Sequence, residues 1–310
     1  MRITPETYLK SNTGHTQKLA YHLGSRSGFF AEYVNMLQGI LFCLINEIEF
    51  QLYSKDTNFS TGRGWEEFFL PFCKEQTSPL HRCLNPRFPT PKFRFKLRKA
   101  CAPALKFISR SDYLTYEVWD QLPPIPKRDQ EIQLKALQRE GSLLEIYREL
   151  VQMTWRLQPK VQQDIQAIFQ AHKLPEHYLA LHIRSGDKIK EARFYPLESY
   201  IQKLKSLSQT SNVLVLTDDY TNYKHLVKNY PELHFYTLES PQQTGYQHRV
   251  NKRRSKTEKR ADYMKFLAGI EASAQAEHFV GTYTSSIATF LRLRMPDHSC
   301  HGVDYDDWIQ

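Results

Sequence analysis

The second half of the chain alternates short apolar runs with amphipathic stretches. His177 to Ile183 (HYLALHI) is apolar on both faces, as a buried parallel strand requires. Pro196 then opens a helix with Leu197, Tyr200, Ile201, Leu204 and Leu207 at helical spacing. Asn212 to Leu216 (NVLVL) predicts a second strand, ending at Thr217-Asp218-Asp219. A helix over 222–229, a strand over 233–236, a long helix over 260–276, a strand over 278–281 and a helix over 285–295 complete the series. In the last of these Ile287, Phe290 and Leu291 face inward. Repeated strand–helix–strand units predict an α/β fold with a doubly wound parallel sheet. Such sheets bind ligands beyond the carboxyl ends of their strands.

The first half is less regular. Gly28 to Glu49 reads as a long helix with Phe30, Val34, Leu37, Ile40, Leu41 and Leu44 on one face, followed by a strand over 46–53. Residues 78–128 are rich in Pro, Lys and Arg and read as surface loops; helices return over about 130–171. The stretch Arg148 to Lys173 reads as a connector between two α/β lobes. We therefore expect an N-terminal lobe over 1–170, on the acceptor side, and a C-terminal donor-binding lobe over 171–310.

Charge narrows the partners. Among 310 residues, 42 Lys and Arg against 33 Asp and Glu give a formal net charge of +9, which suggests a polyanionic partner of some kind. No basic start leads into an apolar core at the N-terminus, so a cytoplasmic location is expected. The apolar stretch Met36–Leu52 contains Gln38, Glu47 and Glu49, which argues against a membrane span. Cys43, Cys73, Cys83, Cys101 and Cys300 form no C-x-x-C pair, and an odd count leaves a thiol free, so reduced thiols are expected. Neither Cys nor His spacing suggests zinc.

Three clusters could carry chemistry, all at predicted strand ends. In His182-Ile-Arg184-Ser-Gly186-Asp187-Lys188, Arg184 offers a planar fork to phosphate oxygens; a solvated loop with a local ion pair would explain the same residues. Thr217-Asp218-Asp219 could face a ligand or cap the next helix. Thr282 to Ser286, with Thr284 and Ser285, could form an anion site at a helix N-terminus or a plain cap. In the first half, the Gly24–Gly28 turn could approach a phosphate, although it is neither a P-loop nor a dinucleotide fingerprint. The turn Asn58 to Trp65 follows the strand at 46–53. The basic run Arg249 to Arg260 could bind nucleic acid or a phosphorylated ligand, or be a solvated loop.

Taken in order, these segments resemble the α-1,6-fucosyltransferase family, and more distantly the protein O-fucosyltransferases. The motif H-[VI]-R-x-x-D-K, then Glu, then an aromatic segment with Pro, reads here as His182 to Lys188, Glu191 and Phe194-Tyr195-Pro196. Thr217-Asp218-Asp219, Gly245 to Arg249, Thr282 to Ser285, Gly24 to Gly28 and Ser60 to Trp65 match in turn. The resemblance implies two facing Rossmann-like (GT-B-like) lobes and an inverting enzyme that moves fucose from GDP-fucose to a sugar hydroxyl of a glycan without a metal. It implies that Arg184 holds the diphosphate, that His182 assists, and that Lys188 and Glu191 lie at the reacting centre with Asp187 as the second candidate base. It also implies that Asp218, Asp219, Arg249, Thr284, Ser285 and Ser286 meet the nucleotide sugar, with Gly24, Gly28, Phe59 and Thr61 on the guanosine side. The sequence departs from the family at Gly269, where an Asp is expected; Asp262, two turns earlier, is the substitute candidate. Residues 66–130 are expected to shape the acceptor site. The alternatives are the same fold with another nucleotide sugar, a sugar-binding relative without the base, or a non-catalytic nucleic-acid binder.

Overall fold

The computed structural model describes residues 2–24, 27–87, 92–122, 130–184, 195–241 and 255–306, and only the backbone of 92–95. It divides after Gln158 into two compact units, described separately below. Helix Pro159–His172, read from the sequence as part of a connector over Arg148 to Lys173 and of the lobe over 1–170, belongs to the second unit, where it packs on helix Lys256–Gln275.

The first unit holds a parallel sheet of β1 (Lys18–His22), β2 (Glu49–Tyr53), β3 (Lys74–Glu75) and β4 (Tyr113–Leu114), in the order β3-β2-β1-β4. Helix Phe29–Asn46 connects β1 to β2. It is long and apolar enough to cross a bilayer, yet most of it is buried inside this unit. It stops before the sequence suggests, because Glu47 adopts a left-handed conformation (φ 55°) that turns the chain into β2.

Two expectations fail in this unit. The stretch 78–128 is not loops: it contains helices His81–Leu84, Lys92–Ser109 and Thr115–Val118 as well as β4. The stretch from 130 opens not with a helix but with an antiparallel hairpin, β5 (Glu131–Leu134) and β6 (Arg139–Ser142), before helix Leu143–Thr154. Leu134 and Ile132 point inward and Gln133 and Glu131 outward, a period of two that is too short to stand out in sequence.

The second unit is the doubly wound sheet expected. Strands β7 (Leu179–Ile183), β8 (Asn212–Thr217), β9 (His234–Tyr236), β10 (Phe279–Gly281) and β11 (Cys300–Gly302) run parallel in the order β11-β10-β7-β8-β9. Strand β11 has no counterpart in the sequence reading. On one face Leu179, Leu181, Ile183, Val213, Val215 and Val280 pack with Tyr200, Ile201, Leu204 and Leu226. The alternate residues Ala180, His182, Leu214 and Leu216 take the other face. There helix Lys256–Gln275 comes so close that a Cβ on Gly269 would lie 2.7 Å from Leu216 Cδ1.

Candidate functional site

Strands β10, β7 and β8 are neighbours and parallel, so the three polar clusters of the second unit leave the sheet at one edge. His182 pairs in register with Leu216 near the end of β7 and is only 5% exposed. Its Nδ1 is buried with no hydrogen-bond partner among the described residues. Burial, and secondarily the charge of Arg184, push its pKa down to about 3, so the ring is neutral at pH 7. Arg184, the first residue beyond β7, is half-buried and forms no ion pair with a described residue.

Across the edge, Ser285 precedes helix Ser286–Arg294. It occupies the capping position, yet its side chain caps nothing: Oγ is buried and unpartnered. Ordinary capping therefore does not account for this serine. The backbone N–H groups just before it are held elsewhere, since Tyr283 N and Thr284 N donate to the Asp304 carboxylate at 2.8 and 3.0 Å. Thr284 itself is exposed and Ser286 half-buried. The result is an edge with a guanidinium, a neutral imidazole nitrogen and a buried hydroxyl, the last two without partners. An unsatisfied buried polar atom costs about 1–3 kcal/mol, and a ligand oxygen would relieve it.

In the third cluster Asp219 is a cap. Asp219 Oδ1 accepts from Thr221 N at 2.9 Å and from Thr221 Oγ1 at 2.8 Å, opening helix Tyr220–Asn229. Asp218 is half-buried at the same strand end. Asp262, the substitute candidate for the Asp expected at 269, stands well away from it. It lies exposed near the start of helix Lys256–Gln275, about 10 Å along the axis from Gly269 at 1.5 Å per residue. Gly269 is where it is because the helix rests on Leu216.

The first-unit candidates lie in a different setting. Beside the described ends of the Gly24–Gly28 stretch lies the chain's own anion: Glu32, buried, accepts from Ser27 N at 3.2 Å and from Arg87 Nη2 at 3.1 Å. A Cβ on Gly24 would collide with that carboxylate, whereas one on Gly28 would meet nothing. Phe59 belongs to the aromatic core, edge-on to Phe29 at 4.8 Å between centroids. Thr61 donates to Glu67 from both N (2.7 Å) and Oγ1 (2.8 Å). Of these four, Phe59 is buried, Gly24 and Thr61 are half-buried, and Gly28 is exposed with open space around it. Asp187, Lys188, Glu191 and Arg249 lie outside the described residues, as does the basic run up to residue 254. From Lys256 that run is the first turn of a helix capped by Ser255.

Sequence reasoning missed a second polar edge, at the carboxyl ends of β1, β2 and β3. His22 Nε2 meets Asp56 Oδ1 at 3.0 Å in a nearly buried pair. His81, pushed down to about 4 by burial and by His22, lies tilted against Tyr53 at 5.1 Å between ring centroids. Glu75, hydrogen-bonded by Ser54, is pushed up to about 7 by burial. A five-residue run (KLAYH) was the only available signal for β1. Among the described residues, no three His, Cys, Asp or Glu side chains cluster as a metal site, and all five cysteines are free.

No protein-family model and no curated protein sequence matches the chain. Solved structures do. A NodZ α-1,6-fucosyltransferase soaked with GDP-fucose is 16% identical, with a TM-score of 0.54 over 90% of this chain and 93% of that one. The fucosyltransferase NodZ from Bradyrhizobium is 15% identical, with a TM-score of 0.53 over 91% and 94%. A variant of Arabidopsis thaliana FUT1 in complex with GDP is 13% identical, with a TM-score of 0.50 over 95% and 77%. The chain has the GT-B fold of these fucosyltransferases. On that fold, His182, Arg184 and Ser285 mark the polar edge of the second unit's sheet.

Proposed function

We propose that the chain is an inverting, metal-independent glycosyltransferase that moves fucose from GDP-fucose to a hydroxyl of a glycan. The observation that carries this reading is the edge formed by Arg184, His182 and Ser285, with two buried polar atoms lacking partners. The likeness to structures holding GDP-fucose or GDP supports the choice of nucleotide.

In this reading Arg184 clamps the diphosphate. Negative charge grows there as the glycosidic bond breaks, and one preorganised donor at a developing charge contributes about 3–4 kcal/mol. His182, neutral at pH 7, offers a hydrogen bond without adding charge, and the Ser285 hydroxyl donates to a phosphate oxygen. Glu191 is the proposed base for the acceptor hydroxyl, Asp187 the second choice, and Lys188 stands at the reacting centre.

A thermal-shift comparison tests the reading. GDP should raise the Tm and UDP should not. Arg184→Ala should abolish both the GDP shift and slow hydrolysis of GDP-fucose while leaving the unliganded Tm unchanged. A shift with UDP instead of GDP, or an undiminished response of Arg184→Ala, would overturn it.

A further inference from the structure

Helix Lys92–Ser109 has two apolar faces, and the fold uses one. Arg98, Ala102, Leu105 and Ser109 face inward, with Ala102 and Leu105 packed on Ala20 and Leu114. Arg98 stacks over Tyr116 at 3.6 Å. On the outer side, Leu97, Ala100, Ala104, Phe107 and Ile108 recur at helical spacing and stand in solvent. Phe107 is 86% exposed, Ile108 55% and Leu97 50%. A large aromatic this exposed is uncommon, and here it ends a stripe rather than standing alone.

The helix itself carries charge of one sign. No Asp or Glu occurs between Lys92 and Ser109. Lys96 and Lys99 are exposed along its edge, and Arg110 follows its end. Beside Phe107 lies an open groove of ≈ 640 Å³, lined in part by Lys18, Lys106, Arg110 and Asp112. Lys18 and Lys106 keep partners in Glu49 and Glu117, at 3.0 and 2.9 Å.

We infer that this helix lies on an anionic lipid surface, with Phe107 and Ile108 inserted among the acyl chains and Lys96, Lys99 and Arg110 at the headgroup phosphates. Apolar residues that reach the acyl boundary, flanked by basic residues at headgroup level, are what interfacial helices present. A second copy is the poorer occupant. A two-fold contact would set the basic residues of this helix against their own copies, where like charges oppose. The groove opens at the amino ends of β1 and β4, so a membrane there leaves the carboxyl edge of the same sheet clear.

Flotation of the full chain with vesicles tests this. The protein should float with phosphatidylcholine vesicles containing phosphatidylserine, not with phosphatidylcholine alone, and salt should release it. Phe107→Ser combined with Ile108→Ser should weaken partitioning at least about tenfold. Lys96→Gln combined with Lys99→Gln should weaken it about fivefold per charge. All four side chains are exposed, so the unfolding temperature should not move. Failure to float with the anionic vesicles, or equal flotation of the variants, would overturn the proposal. So would a dimer, seen by sedimentation equilibrium, that Phe107→Ser with Ile108→Ser dissolves.

Discussion

Ser285 and His182 are informative because each holds a buried polar atom with no partner among the described residues. An unsatisfied hydroxyl is a cost in the free protein and an asset only when something binds. Ser285→Ala should therefore leave the unliganded Tm unchanged or slightly raised. It should weaken GDP binding about ten- to a hundredfold, the worth of one hydrogen bond to a charged group, about 1.5–3 kcal/mol. Calorimetric titration and melting of the same variant would check both halves; a loss of stability without a loss of affinity would reassign the serine to structure. His182 makes a pH prediction. Folded, it stays neutral down to about pH 3, held there by burial first and Arg184 second; unfolded, it takes its proton near pH 6.5. Between those values the unfolded state binds more protons, so this residue removes stability as pH falls from about 6.5 towards 3, by up to about 1.4 kcal/mol per pH unit. His182→Asn should erase that contribution. Urea unfolding of both proteins at about pH 7 and about pH 5 should show the gap between them changing in the variant's favour at the lower pH. A constant gap would mean that the ring protonates in the folded state.

Among elements, the start of helix Phe29–Asn46 holds a buried charge that the chain itself neutralises. Glu32 and Arg87 pair at 3.1 Å with side chains 4% and 8% exposed, and Arg87 also donates to Ser27 Oγ at 3.0 Å. Removing one member of a buried pair strands the other, so Glu32→Ala should cost about 3–5 kcal/mol in chemical denaturation. Glu32→Ala with Arg87→Met should recover much of that loss; a single variant as stable as the parent would mean that the pair is solvated. Sequence could not reveal this, because Glu32 and Arg87 are 55 positions apart. It revealed the second unit far better. Strands β7, β8 and β10 are covered on both faces and so read as unbroken apolar runs, and their polar ends at 182–184, 217–219 and 282–286 marked the edge correctly. Helix Lys92–Ser109 was lost for the opposite reason: apolar residues on two faces blur the period, and Pro103 and the lysines resemble a loop. Strands β3 and β4, of two residues each, hold no pattern at all. Whether Ser285 caps its helix or waits for a ligand was equally undecidable, since both roles want the same residue at the same place.

For the whole molecule, the question is where a surplus of +9 acts. A nucleic-acid binder neutralises many phosphates at once, and its affinity falls with a log–log salt slope of about −0.9 per phosphate contacted. The described structure distributes its basic residues differently. Arg184 stands at a sheet edge with His182, which stays neutral, while Lys96, Lys99 and Arg110 lie on the first unit's helix and its end. A site that holds one diphosphate releases no condensed counterion layer, so raising salt from about 50 to about 200 mM should weaken GDP binding by less than about tenfold. Over the same range a protein with 6–10 phosphate contacts would lose about 10³–10⁵. Filter binding of random single-stranded RNA should be feeble and vanish by the upper salt, while the GDP-induced rise in Tm persists. The reverse pattern, a steep salt slope for RNA with no response to GDP, would mean that the charge serves a polymer and that the fucosyltransferase fold has been turned to binding. The two ligands thus separate the readings by slope rather than by affinity, which matters for a basic chain that will retain some RNA non-specifically at low salt whatever its function.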